Sequence, residues 1–372
     1  MRGLPPFLWD NRRVRMKEKL EDKLTCLLSK KGVAWLAAGL LYPLYKNREQ
    51  ICNAVSEFLS DKQLHDPAIV RRVKKAAFYH KWAYKISYQE YFLFGFDKLN
   101  AKGKRAYIGD RERVEITNRI VSDYTLTLFS NKFETYKVFR PYFHRDVVLI
   151  QGEKDRELFD DFVSKHRDLI IKPVDQSLGK GIYTAYLGSE EDSEKLFNTL
   201  SLEESVIIEE RIHQCKTMSM LHPHSVNTVR ILTVINRDGT PSLVDSFLKI
   251  GRAGKCVDNG GQGGILAAVD IEYGIVTSIG VTENLEEFIF HPDTGAAIVG
   301  FSLPEWDQAK MLAKELALVV PEQRLVGWDL AHTEDGWVMV EGNSCSMFVG
   351  WQLTRKTGWR PTAEKFLSEW MD

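Results

Sequence analysis

Hydrophobic and polar positions follow two different patterns along the chain. Up to about residue 100, apolar side chains recur at helical spacing among strong helix formers, as at Ile51, Val55, Phe58 and Leu59. From residue 106 onward, short β-branched runs alternate with charged windows of helical period. The pattern predicts a helical region over residues 11–100, followed by a region of mixed strands and helices.

Several of the predicted strands follow one another through short turns that contain glycine, such as Asp238-Gly239 and Asp335-Gly336. Such turns are typical of antiparallel hairpins. Because hairpins outnumber βαβ units, the predicted class is α+β and not a doubly wound parallel sheet. The predicted strands are Val147–Ile150, Leu169–Val174, Ile182–Tyr186, Val206–Glu209, Val229–Ile235, Leu243–Ile250, Gly264–Asp270, Val276–Val281 and Trp337–Glu341, and the predicted helices include Asp155–Lys165, Glu190–Leu200 and Trp306–Val319.

The composition is that of a globular protein with about two domains. The chain has 372 residues, 44% of them hydrophobic and 27% charged, which excludes collagenous, disordered and membrane-embedded classes. The apolar run Val33–Tyr45 is too short to span a bilayer, which takes about 20 residues, and it predicts a buried helix. Lys98–Arg105, with Gly103 inside it, is interpreted as a linker.

Charge is distributed unevenly along the chain. Residues 1–109 contain 22 Lys and Arg against 10 Asp and Glu, whereas the remainder is acidic, so that the formal net charge is only −1. Basic and aromatic residues interleave over Val70–Phe96. This pattern suits an anionic membrane surface, a glycan-assembly partner or nucleic acid, or an amphipathic helix with solvated lysines. We favour the amphipathic helix and do not expect nucleic acid as a partner.

Cysteine usage indicates a reducing compartment. The five cysteines are scattered and lack CxxC or Cys/His ligand spacing, which argues against a disulfide framework or a zinc site. Proline and charged residues interrupt the N-terminus before any apolar run, unlike a signal peptide. We therefore expect a cytoplasmic protein.

A first group of candidate residues surrounds Lys172, at the end of a predicted strand. Pro173 follows it, and Ser177, Gly179 and Gly181 form a small-residue loop. A lysine at a strand end beside glycines suits phosphate binding, because backbone N–H groups and the ammonium approach the oxygens together. The spacing is neither that of a Walker loop nor a Rossmann fingerprint. A plain hairpin turn is the alternative interpretation.

A second candidate pair, Glu209 and Glu210, ends another predicted strand. Such carboxylates can accept hydrogen bonds from a sugar or a base amine. The alternative is a strand end that simply reaches solvent.

The strongest candidates lie on the last predicted hairpin. Glu341 and Asn343 are two residues apart on an extended segment and so point to the same face. Asp329 lies on the neighbouring strand across the turn. Three oxygen ligands would then converge, and such a set suits Mg²⁺ bridging nucleotide phosphates.

Further candidates follow Asn227. Arg230 alternates with Val229 and Ile231 and is predicted to face away from the core, where it could neutralise a transferred phosphoryl group; a surface arginine is the alternative. Lys249 and Arg252 end the next strand. The loop that follows contains Asn259, Gly263 and Gly264, and either closes over a substrate or is merely adaptable.

Taken in order, these segments resemble the ATP-grasp superfamily, and most closely its sugar-transfer-associated subgroup. The resemblance extends from Asn131 to Asn343, and more loosely over 106–372. It implies two α+β subdomains that clamp ATP, here 106–215 and 216–372, preceded by a helical basic region, 1–105. The segments are Asn131-Lys132, Lys172-Pro173 with its loop, Glu209-Glu210, His222–Arg230, Asp258-Asn259 with Gly263-Gly264, and Trp328-Asp329 to Asn343.

The resemblance also implies roles for single residues. Lys132, Lys172 and Lys249 would bind the ATP phosphates. Ser177–Gly181 would form a lid loop, and Glu209 and Glu210 would lie near adenine and ribose. The resemblance implies catalytic roles for Lys172, Arg230 and Arg252. It implies magnesium binding by Asp329, Glu341 and Asn343. The residues implied to contact substrate are His222, Asn227, Asn259, Gly263 and Gly264.

The reaction implied by the resemblance is ATP-dependent ligation of a carboxylate to an amine through an acyl phosphate, on amino-acid or sugar-linked substrates of cell-surface polysaccharide biosynthesis. Two alternatives remain open. One is a kinase that phosphorylates a hydroxyl, and the other is a non-catalytic nucleotide-binding module recruited through the basic helices.

Overall fold

The computed structural model describes residues 41–44, 48–120, 123–176, 181–202, 205–254, 258 and 260–371. The part of the predicted helical region 11–100 that precedes residue 41, and most of the apolar run Val33–Tyr45, lie outside these residues. The chain divides into two compact units. Residues 1–113 and 357–360 form the first unit, and residues 114–356 and 361–372 form the second.

The described part of the first unit is helical. The helix Pro67–Tyr84 buries Ala77, Phe78, His80 and Trp82, whereas Arg71, Arg72 and Lys75 are exposed, as an amphipathic helix requires. The helices are α1 Glu49–Phe58, α2 Asp61–Leu64, α3 Pro67–Tyr84, α4 Tyr88–Leu93, α5 Ala101–Ala106 and α6 Asp110–Ile120, which continues into the second unit.

The linker predicted over Lys98–Arg105 is wrong, because α5 lies within it. Asn100 caps this helix, its side-chain oxygen accepting from the Gly103 N–H at 2.8 Å. A single glycine inside a short helix is tolerated at a cost of about 1 kcal/mol.

The second unit contains a four-stranded antiparallel sheet in the order β1-β4-β2-β3. Its apolar face packs on two helices, with Phe159, Phe197 and Leu200 in the shared core. The strands are β1 Val147–Ile150, β2 Asp168–Pro173, β3 Tyr183–Tyr186 and β4 Val206–Glu210, and the helices are α9 Arg156–Lys165 and α10 Glu190–Leu200.

The second unit also contains a seven-stranded antiparallel sheet in the order β11-β10-β5-β6-β7-β8-β9. Val229, Ile231, Leu248 and Trp328 are buried in its core. The strands are β5 Thr228–Ile235, β6 Pro241–Ile250, β7 Ile265–Val269, β8 Gly280–Val281, β9 Glu287–Phe288, β10 Leu325–Thr333 and β11 Gly336–Asn343.

Helices flank these sheets. Asn131 caps the helix that begins at Lys132, its side-chain oxygen accepting from the Phe133 and Glu134 N–H groups. The remaining helices are α7 Asp123–Ser130, α8 Lys132–Phe143, α11 Lys216–Ser219, α12 Trp306–Val319, α13 Val349–Arg355 and α14 Arg360–Met371.

The observed elements confirm the predicted α+β class, and most boundaries agree to within two residues. The strand predicted over Val276–Val281 is the main exception. Only Gly280–Val281 forms a strand, and Val276 makes an isolated bridge to Val269. Within the described residues, every helix is too short or too polar to cross a bilayer.

Candidate active site

Residues of both sheets of the second unit line a cavity of about 640 Å³. Four cationic side chains reach its wall: Lys132 and Lys172 from the side of the small sheet, and Arg230 and Lys249 from the large sheet. Glu341 and Asn343 also line it. The carboxylates of Asp175, Glu209 and Glu283 line it as well. Four cations set among carboxylate and amide oxygens suit a polyanionic ligand held with a divalent ion.

Arg230 is fixed by the strand beside it. Its Nε and Nη2 donate to the two carboxylate oxygens of Asp329, each at 2.6 Å. Lys249 Nζ donates to the same carboxylate at 3.1 Å and lies 3.4 Å from Asp258. Burial alone would raise the pKa of Asp329, but the charges of Arg230 and Lys249 outweigh it and hold that pKa well below its usual value.

As predicted, Asp329 lies opposite Glu341 on the neighbouring strand, and the two carboxylates interact. The Asp329 side chain is 1% exposed, and both of its oxygens are occupied by the two cations. In this structure Asp329 therefore orients Arg230 and Lys249, whereas Glu341 and Asn343 are the members of the predicted ligand set that face the cavity.

Glu341 and Asn343 share one face of β11, as predicted. Asn343 Nδ2 lies 3.4 Å from Glu341 Oε1 and donates to the Gly327 carbonyl at 3.2 Å. Enclosure by the walls of the cavity and the charge of Asp329 raise the pKa of Glu341, although 45% of its side chain is exposed to the cavity. Among the described residues, no three His, Cys, Asp or Glu side chains cluster as a complete metal site. The pair nevertheless fits Mg²⁺, which prefers oxygen ligands, binds through one or two carboxylates and relies on substrate phosphates for further ligands.

Lys172 and Glu209 form a buried pair on adjacent strands. Lys172 Nζ lies 2.7 Å from Glu209 Oε1, and Arg145 contacts Oε2 at 2.7–2.8 Å. Burial would raise the pKa of Glu209, but Lys172 and Arg145 lower it to about 2. The predicted pair Glu209-Glu210 is split, because Glu210 points the other way, towards His166 at 3.7 Å, and lies outside the cavity. For Glu210, the strand-end alternative is the better interpretation.

Lys132 stands at the start of α8 and touches the loop after β2. Its Nζ donates to the carbonyls of Pro173, at 3.0 Å, and Gln176. Burial lowers the pKa of Lys132. Gly181 has a φ of +69°, and a Cβ there would lie 2.8 Å from the Pro173 ring, so only glycine suits this position. The other predicted loop residues, Ser177 and Gly179, lie outside the described residues.

His222 and Asn227 were predicted to contact substrate, but they are fully buried away from the cavity. Asn227 Nδ2 donates to the carbonyls of Met218 and His222 at 2.9 and 3.0 Å, and its Oδ1 accepts from the Gly251 N–H. His222 Nδ1 lies 3.0 Å from Ser225 Oγ. A buried amide whose hydrogen bonds go to the backbone is a structural residue. The predicted substrate contacts of His222 and Asn227 are therefore wrong.

Arg252 contacts the end of the glycine loop. Arg252 Nε donates to the Gly263 carbonyl at 2.7 Å, and Nη2 donates to Glu286. Gly264 is buried where the chain enters β7. Of this loop Gly260 lines the cavity, whereas Arg252 supports the loop from outside. The predicted residue Asn259 lies outside the described residues.

Several residues of the cavity wall were not predicted from the sequence. Phe247, two residues before Lys249 on β6, shares its face, so strand alternation was a usable signal. Three other wall residues lie in loops or at the start of a helix, where no alternation of polar and apolar residues predicts the direction of a side chain: Glu283, Met347 and Val349. Arg145, which contacts Glu209, had no distinguishing signal in the sequence.

Comparison with known proteins finds one matching family and several solved structures of low sequence identity. Residues 111–367 match the profile of a family described as sugar-transfer associated ATP-grasp. A search of curated proteins finds no match.

Similar solved structures include ATP-grasp ligases and related synthetases. An ATP-grasp ligase, PsnB, in complex with a precursor peptide and AMPPNP is 14% identical, with 67% of this chain and 60% of that chain covered and a TM-score of 0.41. The D-alanine–D-alanine ligase from Coxiella burnetii is 11% identical, with coverage of 65% and 57% and a TM-score of 0.39. An N5-carboxyaminoimidazole synthase from Aspergillus clavatus, solved with ADP and 5-aminoimidazole ribonucleotide, is 10% identical, with coverage of 70% and 58% and a TM-score of 0.43. The chain spans about 60% of the length of the first of these structures.

Proposed function

The chain belongs to the sugar-transfer associated ATP-grasp family, and from this premise we propose that it is an ATP-dependent ligase that joins a carboxylate to an amine. The observation that supports this most directly is the convergence of Lys132, Lys172, Arg230 and Lys249 on one cavity that also presents Glu341 and Asn343. These are the groups that a triphosphate and its counter-ion need.

The proposed reaction has two steps. A carboxylate oxygen of the first substrate attacks the γ-phosphorus of ATP, the bond to the β–γ bridging oxygen breaks, and ADP leaves. The amine nitrogen of the second substrate then attacks the acyl carbon, the carbon–oxygen bond to phosphate breaks, and the nitrogen loses a proton to solvent. The products are an amide, ADP and phosphate.

The protein's contribution is positioning and charge. Lys132 and Lys172 would hold the phosphates, and Arg230, held by Asp329, would neutralise the charge that moves with the phosphoryl group. Glu341 and Asn343 would hold Mg²⁺, which would supply positive charge to the triphosphate. The loop around Gly260 would exclude the water that hydrolyses an acyl phosphate.

The family description supports a proposal for the substrate class. We propose amino-acid or sugar-linked substrates of cell-surface polysaccharide biosynthesis, and a cytoplasmic reaction, because ATP is consumed and the scattered cysteines suit a reducing compartment. A membrane or glycan-assembly partner for the basic helices is part of the same proposal.

One experiment tests this function. The purified chain is incubated with ATP, Mg²⁺ and pairs of amino acids and amino sugars; ADP is measured and the adduct identified by mass. Ligation predicts ADP only with a carboxylate present, and a hydroxamate when hydroxylamine replaces the amine. ADP formation that requires a hydroxyl compound and no amine would make it a kinase. Nucleotide binding with no turnover for any pair would favour the non-catalytic module.

A further inference from the structure

We propose that Arg145, which lies outside the cavity, is a positioning residue that sets the phosphate-binding Lys172 and the metal-binding Glu341 relative to each other. The inference rests on the proposed function, since it assigns a role in nucleotide binding.

Arg145 sits between the two sheets with its donors filled. Towards the small sheet, Nε and Nη2 contact Glu209 Oε2 at 2.8 and 2.7 Å. Towards the large sheet, Nη1 donates to the Met339 carbonyl at 2.7 Å and Nη2 to the Val340 carbonyl at 3.3 Å. Nη1 also donates to the Phe143 carbonyl. The side chain is 3% exposed, so the guanidinium is a buried, fully used fork of five donors.

The contact on the large sheet falls at an irregularity of β11. Asp329 pairs with Glu341, but Leu330 pairs with Met339. Val340 is therefore an extra residue on β11, which makes this a β-bulge. A bulge re-aims the side chain beside it, and the residue that follows is Glu341. Arg145 binds the carbonyls at this bulge and so fixes the direction in which Glu341 leaves the strand.

The contact on the small sheet reaches Lys172 through one carboxylate. Glu209 gives Oε2 to Arg145 and Oε1 to Lys172. One planar group therefore defines two positions: the ammonium of Lys172 and the carboxylate of Glu341. Lysine at position 145 keeps the charge, but its ammonium group has three donors on a single nitrogen. It cannot hydrogen-bond to both sheets with the geometry of the planar guanidinium.

The test uses the full chain and measures ADP affinity by calorimetry, with and without Mg²⁺. When a residue that orients a ligand-binding side chain is replaced, the affinity of the protein for the ligand typically falls 10- to 100-fold. We expect Arg145→Lys to weaken Mg·ADP binding by about that factor and to reduce the gain in affinity that Mg²⁺ gives. Glu209→Gln weakens the contacts on the small sheet, to Lys172 and to Arg145, and leaves the Arg145 donors to the Met339 and Val340 carbonyls in place. It should weaken ADP binding but keep the Mg²⁺-dependent gain.

Arg360→Lys is the matched control. Arg360 makes a similar set of contacts in the first unit, to the Glu112 carboxylate and to the carbonyls of Arg105 and Tyr107. It should lower thermal stability without changing either affinity.

The outcomes separate the inference from the function. If the wild-type chain does not bind ADP, the proposed function fails and the role of Arg145 fails with it. If the wild type binds and Arg145→Lys binds equally well with an equal Mg²⁺ gain, the function stands and the positioning role is wrong. Should Arg145→Lys not fold, Glu209→Gln decides: unchanged ADP affinity in that variant overturns the link to Lys172.

Discussion

Arg230 and Asp329 lie opposite each other on neighbouring antiparallel strands, and two hydrogen bonds of 2.6 Å join them. The same carboxylate also holds Lys249. One buried anion therefore fixes two cations at the cavity wall. Preorganised charge of this kind is what a phosphoryl-transfer site needs, because it costs no rearrangement during the reaction.

Asp329→Asn tests this arrangement. We expect the rate of ADP formation to fall by at least about 100-fold and the free energy of unfolding to fall by about 3 kcal/mol, because two buried cations lose their anion. Steady-state kinetics and urea unfolding measure the two effects.

Asp245→Asn is its control. Asp245 is also a buried carboxylate paired with an arginine, Arg355, but neither lines the cavity. This variant should lose stability and keep its rate. A wild-type rate in Asp329→Asn would show that Arg230 needs no partner to act.

The candidate site was predictable where strand alternation alone decides which way a side chain points. Arg230, between the buried Val229 and Ile231, lies as the sequence indicates, and so do Glu341 and Asn343.

The role of Asp329 was not predictable. It depends on Lys249, which lies eighty residues earlier in the chain and contacts the same carboxylate. His222 and Asn227 were misplaced for a similar reason: the backbone carbonyls that fill the bonds of Asn227 become neighbours only in the folded chain. Arg145 is one of several charged residues before β1. Its proposed positioning role depends on contacts with a bulge in β11, which no local sequence pattern predicts.

Glu341→Ala tests the metal-binding role. The side chain is 45% exposed, so its loss should leave the fold intact. Turnover should be abolished, and the affinity for ADP should no longer rise on adding Mg²⁺, while affinity without Mg²⁺ stays close to that of the wild type. Calorimetry with and without the ion checks this.

The control for that variant is Glu287→Ala, another half-exposed glutamate in an ion pair, with Lys356. It should keep both turnover and the Mg²⁺ effect. An active Glu341→Ala enzyme would remove the assignment of magnesium to this face of β11.

Gly342→Ala tests the packing behind Glu341 and Asn343. A Cβ at this position would lie 2.7 Å from the ring of Phe129 and 2.8 Å from that of Trp328, and Trp328 is fully buried. We expect the free energy of unfolding to fall by about 1–3 kcal/mol, because an overpacked core must shift. Urea unfolding measures it. Gly188→Ala, where only the Asp192 carboxylate lies within reach at 3.5 Å, should change stability far less. Equal losses in the two variants would show that the space around Gly342 adapts.

The stability of the helical unit should depend on pH through Glu90. This carboxyl is 5% exposed, accepts from the N–H groups of Ser87 and Asp110, and burial raises its pKa from 4.5 to about 7. Below pH 4.5 the group is protonated in both folded and unfolded chains. As pH rises towards 7 the unfolded chain loses this proton while the folded one holds it, so stability falls by about 3 kcal/mol across that interval.

Glu90→Gln removes this dependence, because the amide oxygen can still accept both hydrogen bonds and no charge is buried. The stability of the variant relative to the wild type should increase by a few kcal/mol as the pH is raised from 5 to 8. Hydrogen exchange of peptides covering Tyr88–Leu93, corrected for intrinsic rates at each pH, reports this unit alone. Glu49→Gln, on the exposed side of α1, should show the same difference from wild type at both pH values. If Glu90→Gln behaves like Glu49→Gln, the carboxyl is ionised in the folded chain at neutral pH, and the two backbone donors are enough to hold its charge in the core.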